Sequence, residues 1–212
     1  TDTKTVNLSI TPVNDAPVAT IPTTQTFNED TVKVFSSANS NLISVADVDN
    51  TSLTVTLTAT NGTISLNGTT GLTFTNGSGT NNTTMTFSGT TASINTALNG
   101  LSYTPTSNYN GSATIQVQAS DGSLTDTKTV NLSITPVNDA PVNTVPSAQT
   151  INEDSTLVFS SANSNAISIS DVDTTNVTVT LTATNGILTL SGTTGLTFIT
   201  GDGTADPIIK VS

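Results

Sequence analysis

A chain of 212 residues with four Lys, no Arg and 15 acidic residues carries a formal net charge of −11, which excludes nucleic-acid binding through a basic patch. The absence of Cys, His and Trp leaves no disulfide frame, no thiolate and no Ser-His pair, so nucleophilic catalysis has no machinery here. No run reaches the ~18 apolar residues of a membrane span.

The chain is internally repeated. The segment Thr1–Val18 (TDTKTVNLSITPVNDAPV) recurs without change at Thr125–Val142, an offset of 124 residues. A period of this length is too large for a solenoid unit and large enough to bury its own core. Residues 1–13 read as the last strand of a preceding repeat, 14–137 as a complete repeat and 138–212 as a second, incomplete one. The joint is Ile134–Val142 (ITPVNDAPV), where Pro136 and Pro141 flank an Asn-Asp pair. Each Pro fixes its own φ and moves the preceding residue out of the α region, giving a stiff, extended connector.

Along one repeat, Pro17–Asp30 predicts an extended edge segment broken by Pro22, and Thr31–Ser37 a second strand. Asn39–Asn50 predicts a loop, a short strand over Leu42–Val45 and an acidic turn. Thr51–Thr60 alternates Leu53, Val55 and Leu57 with Thr, the cleanest strand pattern in the chain. Asn61-Gly62 is a hairpin signal, followed by the short strands GTISL, GLTFT and Thr83–Gly89. In Thr91–Leu101, Ile94, Ala97, Leu98 and Leu101 fall at helical spacing, with Thr91 or Ser93 as cap and Asn99-Gly100 as stop. Ser112–Asp121 and Thr125–Val137 complete the strands. The pattern predicts an all-β fold, a two-sheet antiparallel β-sandwich repeated in tandem, with one short helix per repeat.

The acids are clustered. None lies between Asn50 and Ser120; in the complete repeat they fall at Asp15, Glu29, Asp30, Asp47, Asp49, Asp121 and Asp126. The second repeat places Asp139, Glu153, Asp154, Asp171 and Asp173 at the same spacings, and Glu29 and Glu153 are the only Glu. About ten extended residues span roughly 33 Å. Strand counting therefore gathers Asn14, Asp15, Asp47, Asp49 and Asp121 at one end of the repeat and Glu29 at the other. If repeats stack end to end, Glu29, Asn138, Asp139, Asp171 and Asp173 converge, and the next joint uses Glu153. Oxygen ligands without His or Cys suit a hard cation, Ca²⁺, rather than zinc or copper. Against this stands the plainer reading of solvated acidic turns, which Asp and Asn favour anyway. Asp30 faces water or caps a turn, Asp2 and Asp126 read as surface, and Asp202–Asp206 reads as a plain turn.

At these residues the sequence resembles a cadherin-type repeat of large bacterial surface adhesins. The core of the family linker, Asn-Asp-Ala-Pro, is matched at Asn14–Pro17 and Asn138–Pro141; Glu29 and Glu153 match its strand-end Glu. Asp47-Val48-Asp49, Asp171-Val172-Asp173 and Asp121 match its remaining acidic motifs. Pro12 and Pro136 stand where the family has a first linker Asp, and its mid-domain Asp-Arg-Glu is missing. The resemblance implies a calcium-rigidified array of cadherin/Ig-like, Greek-key sandwiches, here with one or two ions per joint held at ~10⁻⁴–10⁻³ M.

The expected role is non-enzymic: calcium-rigidified spacer repeats of a secreted or cell-surface adhesin or fibre, with neighbouring repeats of the same chain as partners. Two alternatives stay open. The repeats could themselves bind carbohydrate or like repeats, although Tyr103 and Tyr109 are the only Tyr. They could also be an accessory module of a polysaccharide-degrading enzyme. The incomplete second repeat lacks the strands matching Leu101–Val137, which leaves room for complementation by a strand such as Thr5–Thr11 of another copy.

Overall fold

The computed structural model describes Thr1–Ser212. The chain divides into two compact units, Thr1–Val137 and Asn138–Ser212. No helix is long and apolar enough to cross a membrane.

The first unit runs β1 (Val18–Thr20), β2 (Gln25–Asn28), β3 (Lys33–Phe35), β4 (Ser44–Ala46), β5 (Ser52–Ala59), β6 (Gly62–Ser65), β7 (Leu72–Asn76), β8 (Thr84–Thr90), α1 (Thr91–Leu98), β9 (Leu101–Pro105), β10 (Gly111–Ser120) and β11 (Thr125–Thr135). One layer is a six-stranded sheet ordered β2-β11-β10-β5-β8-β7; the other holds the sheet β3-β9-β6 and the pair β1-β4. Every pairing is antiparallel except β2 with β11, which is parallel over Gln25–Asn28.

The core follows from alternation. Leu53, Val55 and Leu57 of β5 point inward with Met85 and Phe87 of β8, Ile115 and Val117 of β10, and Val130, Leu132 and Ile134 of β11. Phe35, Ile43, Val45, Ile64, Leu101 and Tyr103 meet them from the other layer. Burying each large apolar side chain contributes roughly 1.5–3 kcal/mol. Helix α1 adds Ile94, Ala97 and Leu98 to the interior. Its cap is Thr90, whose hydroxyl accepts the Ser93 N–H at 3.1 Å, one residue before the expected cap. The helix stops at Leu98, and Leu101 starts β9. Asn95 binds the helix to β4, donating to Val45 O at 2.8 Å and accepting the Val45 N–H at 2.9 Å.

Several local expectations are corrected by pairing across layers. Pro17–Asp30 is two strands: β1 pairs with β4 in one layer and β2 with β11 in the other. Pro22, which has no N–H to give a ladder, lies where the chain changes layer. The strand predicted over Leu42–Val45 is Ser44–Ala46. Asn61-Gly62 is no hairpin; β5 and β6 belong to different sheets, and β6 pairs with β9. A Cβ on Gly62 would stand 2.5 Å from Thr104 O and 2.6 Å from the Tyr103 ring, so this layer crossing requires glycine.

The repeated segment takes two forms. Thr125–Thr135 is β11, whereas its identical copy at residues 1–11 lies in no strand. Val130, Leu132 and Ile134 are 0, 2 and 3 % exposed, while Val6, Leu8 and Ile10 are 88, 84 and 84 % exposed. Strand β11 lies between β10 and β2, which complete its ladder on both sides.

The second unit contains β12 (Val142–Thr144), β13 (Ser168–Ser170), β14 (Val179–Thr182), β15 (Phe198–Thr200) and β16 (Ile208–Val211). Its sheets are β12-β13 and β14-β16-β15, the pairings that β1-β4 and β5-β8-β7 make in the first unit. Phe159 is 44 % exposed where its counterpart Phe35 is 0 % exposed.

Candidate functional site

At the end of the first unit where β10 gives way to β11, the Asn14-Asp15 segment is held by side chains from two loops. Asn14 Nδ2 donates to Asp121 Oδ2 at 2.6 Å. The Asp15 N–H donates to Asp49 Oδ2 at 2.7 Å, and Asn50 Nδ2 donates to Asn14 Oδ1 at 3.1 Å. The loops are shaped by their own acids. Asp47 Oδ1 accepts the N–H groups of Asp49 and Asn50 at 2.8 and 2.7 Å, an Asx turn. Asp121 Oδ1 accepts those of Ser123 and Leu124, both at 2.7 Å.

Hydrogen bonding thus brings Asn14, Asp15, Asp47, Asp49 and Asp121 together at one end. The Leu124 N–H, then the Asn14 amide and the Ser123 N–H, hold the Asp121 carboxyl below the usual carboxylate range. The other oxygen of Asp47, Oδ2, is buried and has no hydrogen-bond partner. A buried carboxylate oxygen without a donor is costly, and a water or a cation would relieve it. No three Asp or Glu carboxylates stand together as a self-sufficient ion site. An ion here would therefore draw on the Asn14 amide, backbone carbonyls and water besides its carboxylates, a mixed oxygen set that Ca²⁺ accepts.

The second unit repeats part of this clasp. The Asp139 N–H donates to Asp173 Oδ2 at 2.5 Å, and Asp171 Oδ1 accepts the N–H groups of Asp173 and Thr174 at 2.9 and 3.1 Å. Asn138 Nδ2 turns to Asp139 O. Thr174 stands where the first unit has Asn50.

Glu29 lies at the other end of the first unit, some ten β11 residues, or roughly 33 Å, from Asp121. It is buried, and Oε1 accepts the Val137 N–H at 2.7 Å. Glu153 is exposed. Asp126 is more than the surface acid expected. Its Oδ2 accepts the Ala19 N–H at 2.9 Å, tying β11 to β1 across the layers. That bond and the nearby Lys128 lower its pKa. Parity in β11 carried the signal, since Asp126 lies on the inward register of Val130 and Leu132. Asn50 and Asn110 were also missed; among so many Asn, only tertiary contact distinguishes them. Asp202–Asp206 is a turn, in which Asp206 Oδ2 accepts the N–H groups of Asp202 and Gly203, both at 2.9 Å.

The bacterial Ig domain family matches residues 78–133. No curated protein sequence matches the chain. Among solved structures, domains 5–6 of the S-layer protein SbsC are 13 % identical, cover 95 % of this chain and 85 % of that one, and give a TM-score of 0.31. The titin domains Z1Z2 in complex with telethonin are 9 % identical, with coverages of 94 and 82 % and a TM-score of 0.29. At such low scores neither superposition bears on function. The sandwich topology, together with the match over residues 78–133, makes the first unit an Ig-like β-sandwich repeat.

Proposed function

We propose that the chain is a run of spacer repeats in a bacterial cell-surface or secreted protein, stiffened at its linkers by Ca²⁺. The observation that carries this reading is the clasp. A Pro-bounded linker segment is bound to the body of its repeat by carboxylates, and Asp47 Oδ2 is left buried without a donor. In the first unit the ion would be held among Asn14, Asp15, Asp47, Asp49 and Asp121; in the second, among Asn138, Asp139, Asp171 and Asp173. Bound Ca²⁺ supplies a fixed divalent charge that cancels the repulsion of neighbouring carboxylates. The chain's own groups do the rest. Asp49 and Asp121 fix the direction of Asn14-Asp15, and the Asx turn of Asp47 sets the loop that carries Asp49. This role agrees with the cadherin-like linker pattern, and it needs no catalytic group.

The topology suits a spacer. Chain entry through Asn14 and exit through Val137 lie at opposite ends of the unit, and β2 and β11 are parallel neighbours. Tension along the chain would load their bonds together in shear rather than one after another.

The test is calorimetric titration of the 212-residue chain with Ca²⁺, paired with small-angle scattering in Ca²⁺ and in chelator. A saturable heat at ~10⁻⁴–10⁻³ M, with a longest dimension that shortens or blurs on chelation, is the expected result. No binding heat and superimposable profiles would reduce the clasp to hydrogen-bonded turns and sink the calcium part of the reading.

A further inference from the structure

Glu29 is the one acidic residue buried as a whole, at 3 % exposure. Its N–H and both carboxylate oxygens are hydrogen-bonded. Its N–H donates to Thr135 O at 2.9 Å, Oε1 accepts the Val137 N–H at 2.7 Å, and Oε2 accepts Asn110 Nδ2 at 3.4 Å. No Lys neutralises it. Lys33 Nζ lies 6.0 Å from the Phe27 ring centroid, and the ion pairs are Lys4–Asp2 and Lys128–Asp126. Burying a carboxylate without a cation is unfavourable unless its hydrogen bonds are strong, so its place beside Val137 calls for a reason.

The next residue supplies the other half. Asp30 has φ +55°, a left-handed corner that Asp tolerates better than most residues. Its Oδ1 accepts the Asn108 N–H at 3.0 Å and the Ser107 hydroxyl at 3.3 Å. Adjacent carboxylates therefore grip different segments: Glu29 the start of the linker, Asp30 the turn between β9 and β10. Asn110, from just beyond that turn, closes back onto Glu29. The corner is also locally encoded. Asp154 has φ +59°, and the Ser155 hydroxyl donates to Glu153 O at 3.4 Å, as the Thr31 hydroxyl does to Glu29 O at 3.3 Å.

We propose that the Glu29-Asp30 pair is an ion-independent linker anchor: Glu29 fixes where the chain leaves the body at Val137 and holds the end of β11 against β2. This assigns Glu29 a role other than the ligand role that the cadherin resemblance implies. The proposal does not depend on calcium binding at the Asn14-Asp15 clasp, and a chelator separates the two.

The experiment is amide hydrogen exchange, read by NMR on the 212-residue chain in chelator. Wild type is expected to protect the Val137 N–H. Glu29→Ala should speed its exchange roughly tenfold to a hundredfold, the range for losing a hydrogen bond to a charged group, while Ile115 and Val117 in mid-β10 keep their protection. Glu29→Gln, which keeps an acceptor oxygen but no charge, should fall between, and it carries the test if the alanine variant does not fold. Asp30→Ala should expose the Asn108 N–H first. A Val137 amide protected only when Ca²⁺ is added would overturn the proposal, as would wild-type exchange in both Glu29 variants.

Discussion

Asp47→Asn separates a cation-binding clasp from one made by hydrogen bonds alone. Asn at this position keeps the acceptor that receives the Asp49 and Asn50 N–H groups at 2.8 and 2.7 Å, so the Asx turn survives. The substitution replaces the oxygen that is buried and has no donor, Oδ2, with an amide nitrogen. In chelator the change removes an unfavourable buried charge and leaves an unpaired amide instead. These effects oppose one another at roughly 1–3 kcal/mol each, so stability should shift by no more than about 2 kcal/mol. With Ca²⁺ the outcome differs. At about 10 mM ion and a Kd of ~10⁻⁴–10⁻³ M, the folded state gains RT ln(1 + [L]/Kd), or about 1.4–2.7 kcal/mol. For a unit of this size 1 kcal/mol moves Tm by about 4 °C, so wild type should melt ~6–11 °C higher in Ca²⁺ than in chelator at matched ionic strength. Asp47→Asn should gain under about 2 °C by the same conversion. Scanning calorimetry gives the comparison directly. Equal calcium shifts in both proteins, or none in wild type, would refute the argument that Asp47 Oδ2 awaits a cation.

Other expectations follow from the core and its edges. The buried Tyr103 hydroxyl is shared between Thr60 O and Asn61 O, each at 2.9 Å, so Tyr103→Phe should cost about 1–3 kcal/mol in denaturant titration with an unchanged m-value. Burial, and then the charge of Tyr109, push the Tyr103 pKa from 10.0 up to about 12. A raised pKa in the folded state favours the neutral phenol, so its contribution is complete below pH 10 and lost as pH rises towards about 12; alkaline melting curves should fall in that window, and less so for Tyr103→Phe. The Asp121 and Asp126 pKa values are lowered from 3.8, so their contribution is present above the unfolded value and lost as pH falls through the depressed folded values. Tm should hold down to about pH 5 and decline below about pH 4, with the decline flattened in Asp126→Asn. Gly62→Ala meets Thr104 O at 2.5 Å and the Tyr103 ring at 2.6 Å, whereas nothing lies within 4 Å of a Cβ on its repeat counterpart Gly186; the first should cost about 2–3 kcal/mol and the second under about 0.5 kcal/mol, both read from chemical unfolding.

Much of the fold could be read from local pattern, because some elements are decided by their own residues. The alternation of Leu53, Val55 and Leu57 specified a half-buried strand, and Ile94, Ala97 and Leu98 specified an inward helix face. Pairing partners could not be read that way. Nothing within Pro17–Asp30 announces that Val18–Thr20 joins one layer and Gln25–Asn28 the other; that is settled by what β4 and β11 offer. The candidate site divides along the same line. The strand count placed Asp47, Asp49 and Asp121 beside Asn14-Asp15, because the length of an extended chain is nearly independent of side chains. It could not show which way each carboxylate turns. Glu29 and Asp30 are adjacent acids that counting alone would send to one place, yet the left-handed φ of Asp30 directs one towards Val137 and the other towards Asn108. The position of an acid was thus legible from distance along the chain. Its role depends on one backbone dihedral and on which N–H groups tertiary structure brings within reach, so the carboxylates of this repeat have to be tested one at a time.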